Sequence, residues 1–178
     1  ELRQSIFGDR PVMDGSTLLA LDAPLRALDA SLVPISISTN PGRDVVGVYM
    51  VIDDNPGPLA AHVQYGPRGD PSLLALRVRV NQYTLMHAVA ETSDGALHEI
   101  ARFVKAAGGC SAPASKTPDQ AEAHLGEMRT KNLDAAQIGE PSRVELLIRH
   151  PNYSGMQMDQ IKRTYVPARF IETIEVSY

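Results

Sequence analysis

Short runs of alternating apolar and polar residues fill the chain between Leu18 and Ala107. The runs are rich in Val, Ile, Leu and Tyr, and clusters of Pro, Gly, Asn and Asp separate them. A period of two residues, broken by turn residues, is typical of β-strands. The pattern predicts seven strands, at Leu18–Ala23, Leu32–Thr39, Val45–Asp53, Ala60–Tyr65, Leu73–Val80, Leu85–Thr92 and Leu97–Lys105.

Seven short strands at this spacing predict an all-β fold, a β-sandwich that we assign to residues 15–107. The dipeptide Asp94-Gly95 lies between the last two strands. A type I′ turn needs positive φ at both of its central residues, and this pair tolerates that conformation. We therefore expect a tight hairpin at Asp94-Gly95.

The composition changes to Ser, Ala, Pro and Lys after Cys110, which is typical of a linker. Thr117 offers a helix N-cap, and Gln120 lies at the spacing of a capping box. These signals predict a short helix near Pro118–Lys131. We assign residues 108–140 to an arm, a linker and this helix.

A second β pattern begins at Val144–Arg149 and resumes at Phe170–Tyr178. It predicts the start of a second β domain, over residues 141–178. Two or three strands make a poor core by themselves. We therefore expect apolar strand surface there that a symmetry-related copy or a complementing chain covers.

Charge and hydropathy exclude two classes of partner. The 178 residues carry a net charge of −4 and show no cluster of Lys and Arg, so nucleic acid is not an expected partner. No apolar run approaches the roughly 20 residues that span a bilayer, so no membrane anchor is expected. The first residue is Glu1 rather than Met. A processed start is expected, and removal of a secretory signal is one explanation.

Cys110 is the single cysteine, and two glycines, Gly108 and Gly109, precede it directly. Paired glycines occur where a chain must move or must approach another backbone closely. We interpret the pair as a hinge and Cys110 as a reactive thiol that solvent reaches. The alternative is an inert cysteine, although packed cysteines normally lie inside apolar runs.

No catalytic set accompanies the thiol in the sequence. His62, His87 and His98 all fall inside predicted strands, where a structural role is expected. Lys105 is interpreted as a solvated residue at a strand end rather than as an activator of the thiol. A carrier can take its activating groups from a partner enzyme, so this pattern favours a carrier over an enzyme and predicts no catalytic residues.

The segment from His150 to Met158 contains the other residues with distinctive chemistry. His150, Met156 and Met158 offer an imidazole and two thioethers, which are ligands suited to Cu(I). A loop between strands, whose methionines contact a partner or fill an interface, explains the same residues. The structural interpretation is favoured, and no metal site is assigned.

Several segments resemble a known family. Asn55-Pro56-Gly57-Pro58-Leu59-Ala60, Leu76-Arg77-Val78-Arg79-Val80, Ala90-Glu91-Thr92-Ser93-Asp94-Gly95 and Gly108-Gly109-Cys110 resemble SoxY, the sulfur-carrier subunit of bacterial thiosulfate oxidation. Leu147-Ile148-Arg149-His150-Pro151, followed by Ser154-Gly155, is similar to the opening of its partner subunit SoxZ. Together they most resemble the fused SoxYZ-like carriers associated with quinoprotein dehydrogenases.

The resemblance implies an immunoglobulin-like sandwich and a covalent sulfur cargo on Cys110, carried by a mobile arm hinged at Gly108 and Gly109. It implies no other cofactor. The implied setting is the periplasm, and the implied partners are enzymes of sulfur oxidation or of quinoprotein dehydrogenase systems. The arm is internal here, whereas in SoxY it is C-terminal. The SoxZ-like part stops after roughly a third of a domain of about 100 residues.

Two other functions stay open. The first is a non-covalent binding module of the same fold, or a copper-binding accessory protein that uses the loop from His150 to Met158. The second is an enzyme, which is disfavoured because the sequence contains no acid-base or phosphate-binding motif.

Overall fold

The computed structural model describes residues 2–42, 44–113, 124–135, 137 and 139–177. It divides into two compact units, Glu1–Cys110 and Ser111–Tyr178. The first unit holds a short helix, α1 (Leu2–Phe7), and eight strands. These are β1 (Val12–Asp14), β2 (Leu19–Asp22), β3 (Val33–Thr39), β4 (Val45–Ile52), β5 (Leu59–Gln64), β6 (Leu73–Val78), β7 (Thr84–Thr92) and β8 (Leu97–Val104).

Strands β2–β8 correspond one for one to the seven predicted strands, and they form a sandwich. Five strands make one sheet in the order β1-β8-β7-β4-β5, and three make the other in the order β2-β3-β6. All neighbours are antiparallel except β1, which runs parallel to β8. The all-β sandwich is therefore confirmed.

The core lies between the two sheets and consists of aliphatic and methionine side chains. Alternate residues of the strands point inward, and the largest fully buried side chains are Ile37, Met50, Ile52 and Met86. Each such side chain stabilises the fold by about 1.5–3 kcal/mol relative to an exposed position. The alternation that predicted the strands is the pattern that fills this core.

The outer face of the five-stranded sheet is also covered, which the alternating pattern did not indicate. A second apolar cluster consists of Phe7, Tyr49, Val51, Val89 and Leu97. Phe7 of α1 meets the ring of Tyr49 edge-on, with centroids 5.1 Å apart. Arg3 and Arg10 pair with Glu99 and Glu91 at 2.5 and 2.6 Å, respectively. Helix α1 and strand β1 thus belong to the first unit, which begins before the predicted residue 15.

The hairpin between β7 and β8 forms as expected, but with a different turn. Thr92 pairs with Ala96, and the Gly95 N–H donates to the Thr92 carbonyl at 2.8 Å. Only Gly95 has positive φ, at 83°, so the turn is not type I′. A three-residue loop that ends in a glycine with positive φ is also compatible with the right-handed twist of the two strands.

The described residues of the second unit form four short strands, in two separate antiparallel pairs. Strand β9 (Met128–Asn132) pairs with β10 (Val144–Ile148), and β11 (Met158–Asp159) pairs with β12 (Thr164–Tyr165). The predicted helix is wrong where it can be tested, since residues 124–126 form a turn and Met128–Lys131 lie in β9. Residues 118–123 lie outside the described residues. Here, strand pairing with β10 outweighs the local capping signals that favour a helix.

The predicted strand at Phe170–Tyr178 is also wrong for residues 170–177, which form no ladder. Many apolar side chains of this unit are exposed: Met128, Val144, Leu147, Ile161, Tyr165, Phe170, Ile174 and Val176. Short two-stranded pairs cannot cover such side chains by themselves. The expected covering chain or second copy stays a prediction.

Within the described part of the chain, no helix has the length and apolarity to cross a membrane.

We predict that Phe7→Ala destabilises the first unit by about 3 kcal/mol, because it opens a cavity over Tyr49 and Val89. Urea denaturation followed by far-ultraviolet circular dichroism measures this change. Leu28→Ala is the matched control, since the Leu28 side chain is 107% exposed and should unfold like the parent protein. Equal denaturation midpoints for the two variants would show that α1 does not seal the sheet.

Candidate functional site

The segment between β8 and Cys110 is held against the connection that follows β2. The Lys105 N–H donates to the Leu25 carbonyl at 2.8 Å, and the Ala27 N–H donates to the Lys105 carbonyl at 3.1 Å. These bonds make a parallel bridge between Arg26 and Lys105. The side chain of Ala106, one residue later, is buried. The chain therefore enters the glycine pair from a fixed direction.

Both glycines are hydrogen-bonded to the segment that follows β6. The Gly108 N–H donates to the Asn81 carbonyl at 2.7 Å, and the Gly109 N–H donates to the Val80 carbonyl at 2.9 Å. Gly108 has φ of +77°, a conformation that other residues adopt at a cost. The two glycines thus have an ordered conformation.

Gly109 also lies directly against the backbone of Ala30. A Cβ atom at Gly109 would fall 1.9 Å from the Ala30 carbonyl oxygen and 2.7 Å from the Val80 carbonyl oxygen. No side chain fits there. Paired glycines permit either motion of the chain or close approach of two backbones, and this structure shows the close approach. The hinge role of Gly108 and Gly109 stays a prediction, which requires these contacts to break.

Cys110 is buried, and its expected exposure is wrong for this structure. Its relative accessibility is 3%. Burial raises the pKa of the thiol, and the nearby positive charge of Arg79 partly opposes that rise. Both effects follow from the cost of placing a thiolate in a poorly hydrated site. The structure therefore holds Cys110 in a state of low nucleophilicity.

Arg79 and Asn55 belong to this site, and sequence reasoning did not assign either one to it. The Arg79 guanidinium donates through Nη1 to the Gly109 carbonyl at 2.8 Å. The Asn55 amide donates to the Arg79 carbonyl at 2.7 Å and accepts from the Asn81 N–H at 2.9 Å. Asn55 falls in a turn signal of the sequence, and Arg79 falls in the predicted strand Leu73–Val80. No local pattern brings them to Cys110, which is 31 residues beyond Arg79.

His87 and His62 have structural contacts within the sandwich. His87 lies on the outer face of the five-stranded sheet, with Nδ1 2.6 Å from Glu99 and Nε2 3.0 Å from Asp53. The ring of His62 stacks on Tyr49 at a centroid distance of 3.9 Å. The cation whose charge acts on the Cys110 thiol is Arg79, not Lys105.

The loop from His150 to Met158 is organised by its own hydrogen bonds. His150 Nδ1 accepts from the Asn152 N–H at 3.0 Å. Gln157 is buried, and its Oε1 accepts from the Ser154 N–H at 2.9 Å. Met156 is half-buried and Met158 is exposed in β11. Among the described residues, no three His, Cys, Asp or Glu side chains are grouped to hold a metal ion. These contacts are those of a structured loop.

Comparisons with protein families place two family models along this chain. The model for sulfur oxidation protein SoxY matches residues 3–110, so its match ends on Cys110. The model for sulphur oxidation protein SoxZ matches residues 128–178. No curated protein gives a significant match.

Among solved structures, a sulfur carrier shows the same sandwich. The sulfur carrier protein SoxY from Chlorobium limicola f thiosulfatophilum superposes with a TM-score of 0.51 at 24% identity, covering 59% of this chain and 88% of that one. A superoxide reductase (neelaredoxin) from Ignicoccus hospitalis gives a TM-score of 0.42 at 12% identity, covering 49% of this chain and 79% of that one. The first match supports the sandwich fold of residues before Ser111.

We predict that Gly109→Ala destabilises the first unit by about 2 kcal/mol or more, because the new Cβ overlaps the Ala30 carbonyl. This expectation differs from that of a free hinge, where alanine would hardly change the unfolding temperature. Thermal and urea unfolding measure the effect. Gly57→Ala is the control, since open space surrounds Gly57. A Gly109→Ala protein as stable as the Gly57→Ala protein would contradict the close packing.

A second prediction concerns pH. The raised pKa of Cys110 means that the folded state favours the protonated thiol. The thiol therefore contributes fully to the free energy of unfolding below its ordinary pKa. That contribution is lost as the pH rises through the raised pKa. Above about pH 8.5, the free energy of unfolding should therefore fall more steeply in the parent protein than in Cys110→Ser. Urea midpoints at a series of pH values measure both slopes. Parallel curves would show that burial does not perturb the thiol.

Proposed function

This chain belongs to the SoxY family of sulfur oxidation proteins and joins it to a SoxZ-like segment, and from that premise we propose that Cys110 carries sulfur as a covalent adduct. The observation that carries the proposal is the position of Cys110. It is the only cysteine of the sequence, and the SoxY match ends on it. The ordered glycine pair leads directly to its sulfur.

Loading is an exchange of sulfur–sulfur bonds. The Cys110 thiolate attacks a sulfane sulfur of a donor, a new S–S bond forms, and the donor's S–S bond breaks. The donor leaves as a thiolate, so the exchange involves no net oxidation. The proton that Cys110 loses passes to solvent or to a base of the donor enzyme. Unloading reverses these steps on a partner.

The buried state of Cys110 determines how a carrier must work. A thiol that is 3% exposed and has a raised pKa attacks slowly. Transfer therefore takes place from an opened state, in which the bonds of Gly108 and Gly109 to Asn81 and Val80 have broken. The glycines act as a hinge in that step.

The role needs no catalytic centre in this chain. The solved SoxY that shares the fold is described as a sulfur carrier protein. Membership of that family supports a carrier rather than an enzyme. Partner enzymes would supply the acid, base or redox groups for each conversion of the cargo.

The periplasm and the partner enzymes belong to the proposal as well. SoxY and SoxZ are both described as sulfur oxidation proteins, which supports enzymes of sulfur oxidation as partners. The association with quinoprotein dehydrogenases stays a prediction. So does the alternative of a non-covalent binding module or a copper-binding accessory protein that uses His150, Met156 and Met158.

Intact mass spectrometry of the protein under non-reducing conditions, after incubation with a persulfide donor, tests the proposal. We expect mass increments of whole sulfur atoms on the parent protein, removed by dithiothreitol and absent from Cys110→Ser. Cys110→Ser should keep the fold, as far-ultraviolet circular dichroism would show. Increments that persist in Cys110→Ser, or a parent protein that takes up sulfur only after unfolding in urea, would refute a carrier role for Cys110.

A further inference from the structure

Residues 79 and 80 together bind both backbone polar groups of Gly109. The Val80 carbonyl accepts from the Gly109 N–H at 2.9 Å, and the Arg79 guanidinium donates to the Gly109 carbonyl at 2.8 Å. The second contact is the unusual one, because a charged side chain provides it rather than the backbone. Hydrogen bonds with an ionised partner are stronger than neutral ones.

The segment that carries Arg79 is itself fixed. The Val80 N–H donates to the Ala30 carbonyl at 2.8 Å. Asn55 bridges Arg79 and Asn81 through both ends of its side-chain amide. Gly109 therefore meets an anchored partner, and the bonds at its own backbone are the ones that an opening motion must break.

The same guanidinium lies close enough to Cys110 to act on it electrostatically. Its positive charge lowers the pKa of the thiol against the larger effect of burial. Asp29, in the connection between β2 and β3, is an acidic group whose pKa the Arg79 charge also lowers. Hydrogen bonds from Ser31 lower the pKa of Asp29 most, and Arg79 lowers it least. Arg79 is itself half-buried.

We infer that Arg79 is a positioning residue of the carrier arm, which fastens the Gly109 carbonyl and so controls the exposure of Cys110. This inference rests on the proposed function of Cys110. It gives one side chain two separable effects: the hydrogen bond holds the arm closed, and the charge favours the thiolate once the arm moves. Neither effect requires Arg79 to touch the cargo.

The test uses the whole 178-residue chain and the uncharged aromatic disulfide dithiodipyridine, whose reaction with a thiolate releases a pyridine thione that absorbs in the near ultraviolet. The rate is followed from below to above the pKa of the thiol, which yields an apparent pKa and a plateau rate. Loss of a charge-assisted bond should raise the plateau rate of Arg79→Met roughly tenfold. Its apparent pKa should also move upward, because the cation is lost.

Arg79→Lys separates the two effects. Lysine keeps the charge but lacks the planar fork, so we expect a raised plateau rate with an apparent pKa near that of the parent protein. Arg77→Met is the matched control, because Arg77 is an exposed arginine of β6 two residues away. It should change neither quantity. Cys110→Ser supplies the background rate.

Urea distinguishes opening of the arm from unfolding of the sandwich. If Arg79 holds the arm, the faster reaction of Arg79→Met should depend only weakly on low urea concentrations, as a local opening does. A steep dependence equal to that of global unfolding would overturn the inference, as would Arg79→Met rates equal to those of Arg77→Met. The reagent needs no sulfur cargo, so failure here is distinct from failure of Cys110 to take up sulfur.

Discussion

The packing of Gly109 against the carbonyl of Ala30 is the contact on which the site depends. A Cβ atom on Gly109 would lie only 1.9 Å from that oxygen, so the two backbones touch without a side chain between them. Three chain segments meet at this point: the connection after β2, the turn after β6 and the exit from β8. Their meeting fixes where the thiol of Cys110 lies. A glycine here serves the approach of backbones, in addition to any motion that it permits.

The contact also sets two opposing requirements for the thiol, which is buried at rest and must be exposed to react. Burial keeps Cys110 protonated and out of reach, and thiolate character and exposure together set how fast a cysteine is oxidised. A carrier must expose the same sulfur to a donor and to an acceptor. Exposure of the sulfur requires the backbone bonds of Gly108 and Gly109 to Asn81 and Val80 to break, while the Val80 side chain itself belongs to the sandwich core.

The sandwich supplies a rigid frame because its central strands are covered on both faces. Met50 and Ile52 of β4 pack into the inner core, while Tyr49 and Val51 of the same strand pack beneath α1. The acidic side chains on that outer face are engaged by Arg3, Arg10 and His87. The ends of β6 and β8, which lead to the site, are thus held by a well-buried core.

The sequence by itself determined the strands of the sandwich, because inward and outward side chains alternate with a period that only a half-buried strand produces. It also singled out Cys110 and its two glycines, since no apolar run surrounds them. It missed α1, and it predicted a helix where β9 forms, because docking of Phe7 and pairing with β10 are not local properties. The burial of Cys110 and its contact network with Arg79 and Asn55 were decided only by tertiary structure. Arg79 lies 31 positions before the cysteine and reaches the Gly109 carbonyl through the sheet topology, while Asn55 holds the Arg79 backbone, and no spacing in the chain encodes that meeting.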